Sequence, residues 1–416
     1  MAKSNLANID WLTVLLFLIL VSFGWMNIFS ASFNDDAPSI LSLSEPYGKQ
    51  ALWIGLSFVM IIFIFSTEQK FFERFSSIIY IVSLLSLIGL FIFGKTISGA
   101  TSWYVFGPVS IQPSEFAKAA TSLALAKYVS DLQTNIKLWK DQIYAFVIIL
   151  LPALIIVPQP DPGSAIVYAA FLFSLYREGI TSLYFLIGFI AVTIFVLTLL
   201  VGPQAVIIAL FLIGLLLILF SKNKKKLIIP TSGIFITLLF FSLSVNYVFN
   251  NIFEQRHRDR FNIVLGKEVD SHGIGYNTNQ SEIAIGSGSW LGKGWKQGTQ
   301  TKGGFVPEQH TDYIFSTVGE EWGFVGSMLV VITFIFLIIR VLFLAERQKS
   351  QFNRVYGYSV SGILFIHFLI NIGMVTGLLP TVGIPLPFFS YGGSGLWGFT
   401  ILLFIFIKLD SDRMHT

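Results

Sequence analysis

Apolar stretches of roughly bilayer-crossing length recur from one end of the chain to the other, parted mostly by short polar turns. They fall at 11–30, 51–66, 76–94, 113–130, 142–157, 163–176, 181–201, 203–220, 227–249, 313–344, 355–377 and 390–407, which predicts about twelve membrane-spanning helices. The one long polar interval, 250–312, stands before the last three runs. Ser30, Ala31 and Ser32 imitate a signal-peptide cleavage site, but the first run is long for a signal sequence and more spans follow, so a retained first helix is expected. The expected fold is an all-α polytopic membrane protein forming a single membrane domain over 1–416.

Composition agrees with the pattern. The 416 residues are 54% hydrophobic and 12% charged, with mean hydropathy +0.74, which excludes a soluble multidomain protein. Net charge is +4, but the positive residues sit mostly in turns on one side and point to topology, with no nucleic-acid partner expected. With the N-terminus inside, cytoplasmic turns hold Lys70 and Arg74, then Lys127, Lys137 and Lys140, then Arg177, the run Lys222 to Lys226, and Arg347, Lys349 and Arg354. Short outer turns hold little more than Lys49 and Lys95. Both termini are therefore expected in the cytoplasm and the 250–312 loop outside. The absence of cysteine excludes disulfides, a thiolate nucleophile and cysteine-ligated metals.

Chemistry concentrates where the long loop meets the next span. Glu308, His310 and Asp312 fall close together, and Glu320 and Glu321 follow within the apolar run. Asp312 is expected in the first turn of its helix, where the dipole favours the carboxylate and partial desolvation opposes it; that balance suits a general base, and a plain helix cap is the alternative. Glu308 with His310 and Asp312 can instead hold a divalent cation, although no second histidine stands near enough for a dedicated zinc site. Glu115 and Lys118 share one face of a helix starting at Pro113, and ionisable groups in a span more often line a cavity than merely pair.

Other motifs carry less. The 286–298 segment, GSGSWLGKGWKQG, fits neither the Walker A pattern nor the dinucleotide fingerprint, so a ligand-approaching loop and a tight fold remain as readings. Arg256, Arg258 and Arg260 align on one face only if extended, suiting a phosphate; an arginine belt at the lipid interface is the rival. Asp161, in PQPDPGS, reads as a cap. Pro380, Pro385 and Pro387 precede FFSYGGS, which suggests a broken element walling a cavity without reactive groups.

Several blocks, in order, resemble the SEDS (shape, elongation, division and sporulation) family: GATSWYVFGPVSIQPSEFAK at 99–118, PQPDPGS, NQSEIAIGSGSWLGKGWKQGTQ at 279–300, FVPEQHTDYIF at 305–315 and NIGMVTGLLPTVGIPLPFFSYGGSG at 371–395. The wording of the second loop block is closer to the elongation branch than to the division branch. The resemblance implies a peptidoglycan glycosyltransferase that polymerises lipid II on the outer face of the bacterial cytoplasmic membrane, serving rod shape beside a class B penicillin-binding protein. It places the family's essential acid on Asp312, its cavity Glu and Lys on Glu115 and Lys118, and its tryptophan on Trp103. The family usually has ten spans, so an extra helix pair is expected within 181–249. Asp312 is then the base, and Arg258 and Arg260, with Lys293 or Lys302, neutralise the pyrophosphate leaving group, alone or with a divalent ion. Glu308 and His310 remain supporting substrate-binding candidates. A lipid-precursor flippase and a non-catalytic scaffold for the transpeptidase are the competing readings.

Overall fold

The computed structural model describes residues 8–33, 42–97, 99–107, 109–221, 224–267 and 275–413. Lys222, from the basic run, lies outside them. The elements are α1 (Trp11–Ser32), α2 (Pro46–Ser66), α3 (Gln69–Phe93), β1 (Lys95–Ile97), β2 (Ala100–Phe106), β3 (Val109–Ile111), α4 (Pro113–Val129), α5 (Trp139–Ile156), α6 (Pro162–Ile166), a 3-10 turn at Val167–Ala170, and α7 (Phe171–Arg177). They continue with α8 (Leu183–Val201), α9 (Pro203–Phe220), α10 (Lys224–Asn251), α11 (Gln255–Val264), α12 (Tyr276–Ser287), α13 (Thr299–Lys302), α14 (Ile314–Glu346), α15 (Gln351–Val375) and α16 (Gly393–Ser411). They form two compact units, 1–180 with 276–416, and 181–275.

The fold is all-α and polytopic. Among the described residues ten helices are long and apolar enough to cross a membrane: α1, α2, α3, α5, α8, α9, α10, α14, α15 and α16. Of the twelve spans expected, 113–130 and 163–176 are the two that do not meet this description. The first is α4, whose 17 residues include the buried Glu115 and Lys118 and lie almost wholly inside protein. A helix shielded from lipid by its neighbours can carry charge and hydroxyls that a lipid-facing one cannot. The second breaks into α6, the 3-10 turn and α7.

In the larger unit α4 is central, packed by α3, α5, α15 and α16. Its small residues Ala117, Ala119, Ala120, Ala124 and Ala126 are buried and permit close approach. At Gly398 of α16 even a methyl group would come to 2.9 Å from the Glu115 carbonyl oxygen, so the two helices touch through backbone there. A small antiparallel sheet, β1-β2-β3, caps the start of α4; the sequence reading had no strand here. Trp103 on β2 faces Lys95 on β1, and Tyr104 on the same strand donates its hydroxyl to the Ser86 carbonyl at 2.8 Å.

The long polar interval over 250–312 contains α11, α12 and α13. Its glycine-rich part folds tightly onto α14. That helix breaks at Gly323, whose φ of 63° and ψ of −159° suit glycine alone. The carbonyls freed at Glu320 and Glu321 accept from the Lys293 and Gly294 amides, each at 3.0 Å. The Phe324 and Val325 amides donate to the Ser289 and Trp290 carbonyls at 2.9 and 3.1 Å. Backbone groups lost from the helix ladder are thus repaired by the loop. Buried Glu320 completes the join, accepting from Lys293 Nζ at 2.7 Å and from the Gln300 and Thr301 amides at 2.9 and 2.8 Å.

The 181–275 unit packs α8, α9 and α10 with α11, around Leu199, Val245 and Phe249. The arginine run lies on α11, so Arg258 and Arg260 diverge where an extended segment would have aligned them.

Candidate functional site

Asp312 sits in the turn just before α14, and the helix is capped at Tyr313 with no side-chain cap hydrogen bond. It stands one residue before the cap, just ahead of the first helical turn in which the sequence places it. Three neighbours pin the turn. Buried Gln309 donates from Nε2 to the Ala31 carbonyl at 2.7 Å and to the Thr301 carbonyl at 3.0 Å. The His310 carbonyl accepts from the Tyr391 amide at 2.9 Å, and the two rings lie 5.4 Å apart. The Asp312 carbonyl accepts from Asn371 Nδ2 at 2.8 Å.

The same Asn371 amide donates to the Ile384 carbonyl at 2.7 Å. This ties Asp312 to the strap 381–386, flanked by Pro380 and Pro387, where Gly383 passes so close that a methyl group on it would stand 3.3 Å from Asp312 Oδ2. The left-handed φ of 73° at Gly383 adds to the demand for glycine. Tyr313 and Thr381 share a hydroxyl hydrogen bond of 2.8 Å, and Gly163 at the start of α6 leaves room for nothing larger against the Val382 carbonyl. The strap expected to be a mere wall is the piece on which the site is assembled.

Glu115 and Lys118 are buried as a pair, Lys118 Nζ donating to Glu115 Oε2 at 2.8 Å, with side-chain exposures of 3% and 2%. Lys118 Nζ also lies 3.0 Å from His367 Nε2 and 4.5 Å from the centre of the Phe399 ring. His367 Nδ1 meets the Pro385 carbonyl at 3.2 Å. The two sequence-derived clusters, Asp312 and Glu115–Lys118, are therefore linked through α15 and the strap. Asp161 caps α6, accepting from the Ser164 amide at 3.0 Å, and takes Gln112 Nε2 at 2.9 Å.

The remaining candidates separate. Lys293 is paired with Glu320, so its charge is already committed within the loop. Lys302 is exposed at the end of α13. Glu308 is exposed and accepts from the Thr311 hydroxyl at 3.0 Å. Burial lowers the His310 pKa below its usual 6.5, partly opposed by Glu308. Glu308, His310 and Asp312 do not form a three-ligand cluster, and among the described residues none exists. Arg258 is bound to the Asn250 carbonyl at 2.9 Å and to Gln255 Oε1 at 2.7 Å, and with Arg260 belongs to the 181–275 unit. Trp103 is half-buried on β2. Sequence reading missed His367, Asn371 and Gln309; the spacing of His367 and Asn371, one helical turn apart in an apolar span, was the available signal.

A family model described as cell cycle protein, FtsW/RodA/SpoVE, matches residues 10–206 and 176–415. The chain belongs to this family. Among its relatives, the peptidoglycan glycosyltransferase MrdB of Escherichia coli (strain K12) is 33% identical over 390 residues, 94% of this chain and 90% of that protein. The peptidoglycan glycosyltransferase RodA of Treponema pallidum (strain Nichols) is 30% identical over 433 residues, covering 99% of each. The probable peptidoglycan glycosyltransferase FtsW of Allochromatium vinosum is 28% identical over 409 residues, 97% of this chain and 90% of that protein. Two solved structures share the fold: a chain of a peptidoglycan synthase complex, at TM-score 0.67 and 24% identity over 98% of this chain and 99% of that one, and Thermus thermophilus RodA, at 0.62 and 23% over 97% of both. This family membership agrees with the resemblance read from the motif blocks.

Proposed function

We propose that this protein is a peptidoglycan glycosyltransferase of the bacterial cytoplasmic membrane that polymerises lipid II on the outer face. The carrying observation is the arrangement around the 381–386 strap, with the Asp312 carboxylate on one side and the buried Glu115–Lys118 pair on the other. A buried ion pair rarely adds stability over an apolar replacement, because desolvation costs several kcal/mol per ion, so its presence beside Asp312 supports a role in substrate handling. An apolar recess of about 490 Å³, lined by Val59, Phe63, Phe72, Phe116, Leu123 and Ile405, lies on another face of α4 and suits a lipid tail.

In the reaction, Asp312 takes the proton of the acceptor sugar hydroxyl as its oxygen attacks the donor's anomeric carbon. The new glycosidic bond forms with inversion while the bond to undecaprenyl pyrophosphate breaks, the leaving group departing with the electron pair. Its charge calls for cations. Lys302, exposed at the end of α13 in the same unit as Asp312, is a candidate, with a divalent ion as a further charge carrier that chelation tests. The relative solved within a peptidoglycan synthase complex supports assembly with a crosslinking partner, which we assign as a class B penicillin-binding protein.

Incubating the purified protein with lipid II in detergent and resolving glycan products by electrophoresis tests the reading. Glycan chains are expected, which neither a flippase nor a scaffold would make. Asp312→Asn should lower the rate by about 10²–10⁴-fold with thermal stability retained. A folded Asp312→Asn protein that polymerises at the normal rate removes Asp312 from the mechanism.

A further inference from the structure

His367 and Asn371 stand one turn apart on α15 and face the same strap. Both are buried, at 1% and 0% exposure. Their hydrogen bonds leave little freedom of assignment. The Pro385 carbonyl only accepts, so His367 Nδ1 carries the hydrogen, and a Lys118 ammonium held charged by Glu115 only donates, so Nε2 presents its lone pair. His367 is thus a neutral imidazole bridging the buried cation to the strap backbone. Asn371 makes the second rung, with its amide hydrogens on the Asp312 and Ile384 carbonyls. Turning that amide over would set its oxygen against two carbonyl oxygens, which fixes its orientation. Its own Oδ1 is buried without a hydrogen-bond partner, which disfavours this arrangement. The arrangement thus accepts an energetic penalty to hold two backbone carbonyls in place.

We propose that His367 is a positioning residue: through Pro385 it registers the 381–386 strap against the Lys118–Glu115 pair, and through the strap and Asn371 it sets where the Asp312 carboxylate stands. This rests on Asp312 being the base. The acid and the buried cation then keep a fixed separation while substrate enters and product leaves, although no direct bond joins them.

Three variants test it. His367→Asn keeps a donor near the Nδ1 position for Pro385 but withdraws from Lys118; His367→Gln reaches toward Lys118 but releases Pro385; His367→Leu loses both while roughly preserving volume. Hydrogen exchange of the amides at 381–384, 386 and 310–313, read by mass spectrometry on protein in detergent, should accelerate in the Leu and Gln variants and stay near wild type in Asn. In lipid II polymerisation, His367→Leu should lose about 100-fold in kcat, the scale expected for an ångström-sized misplacement, with KM changed by less than about twofold. His367→Asn should recover most of that loss. Wild-type exchange in folded Leu and Gln variants overturns the proposal, and so does accelerated exchange with undiminished kcat. Should Leu fail to fold, the Asn and Gln pair decides by the same two readouts. If the wild-type protein makes no glycan, the function reading fails by itself, and the exchange pattern still determines whether His367 holds the strap.

Discussion

His310 shows at the residue scale how the site turn depends on burial. Its ring packs on Tyr391, and desolvation lowers its folded pKa below the 6.5 of the exposed side chain. A histidine depressed in this way stays neutral when folded while the unfolded chain binds a proton, so its contribution is complete above about pH 6.5 and fades as pH falls through the folded value. Comparing melting temperatures of wild type and His310→Gln from pH 8 to pH 5 should show the wild-type advantage shrinking on acidification; a constant difference contradicts the assignment. The residues legible in the sequence were those conspicuous to a membrane: Asp312, Glu115 and Lys118 are charges at or within apolar runs. His367 and Asn371 escaped notice because two uncharged polar groups one turn apart give only a faint signal in a span, and their meaning appears only when the strap from 381–386 arrives against them. Lys293 was legible as a cation but not as the partner of Glu320, which lies well beyond it in sequence.

At the scale of elements, α14 is the informative case. Its 33 residues would span about 50 Å as one straight helix, well beyond a hydrocarbon core of about 30 Å, and the break at Gly323 leaves a longer C-terminal part close to bilayer-crossing length and a short N-terminal part. A methyl group on Gly323 would stand 2.8 Å from the Leu291 amide nitrogen and would need a backbone conformation that other residues adopt at a cost of about 1–3 kcal/mol. Gly323→Ala is therefore expected to destabilise the protein by at least that amount and to loosen protease-sensitive sites in the 288–302 loop; an unchanged melting temperature and digestion pattern refutes this account. Hydropathy made the long spans readable, but it could not reveal the break, since Gly323 differs from an ordinary helical glycine only because the 288–294 backbone meets it. The sheet at 95–111 was equally hidden, being short and pinned by Tyr104 and Thr101 to residues far along the chain.

At the scale of the whole molecule, charge distribution sets the expected orientation, with the Asp312 end outward and the end bearing Lys127, Arg177 and Lys349 inward. The cysteine-free chain permits a background-free check. A membrane-impermeant maleimide should label Leu291→Cys on intact spheroplasts and reach Lys349→Cys only after permeabilisation; the opposite pattern reverses the topology and removes the outer-face reaction. The hydropathy profile conveyed the succession of long apolar helices well, because lipid forces every lipid-facing span to declare itself. It missed the special status of α4, whose enclosure by neighbouring helices frees it from that rule. The joint in α14 also has a mechanical meaning. Because the 288–294 backbone is stitched into the break, the segment from Ile314 to Trp322 is coupled to the outer loop as firmly as to the rest of its own helix. Trp290 and Leu291, at 70% and 79% exposure, form the outward handle of that coupling. A load applied to them acts as on a lever whose short arm, Ile314 to Trp322, begins beside Asp312.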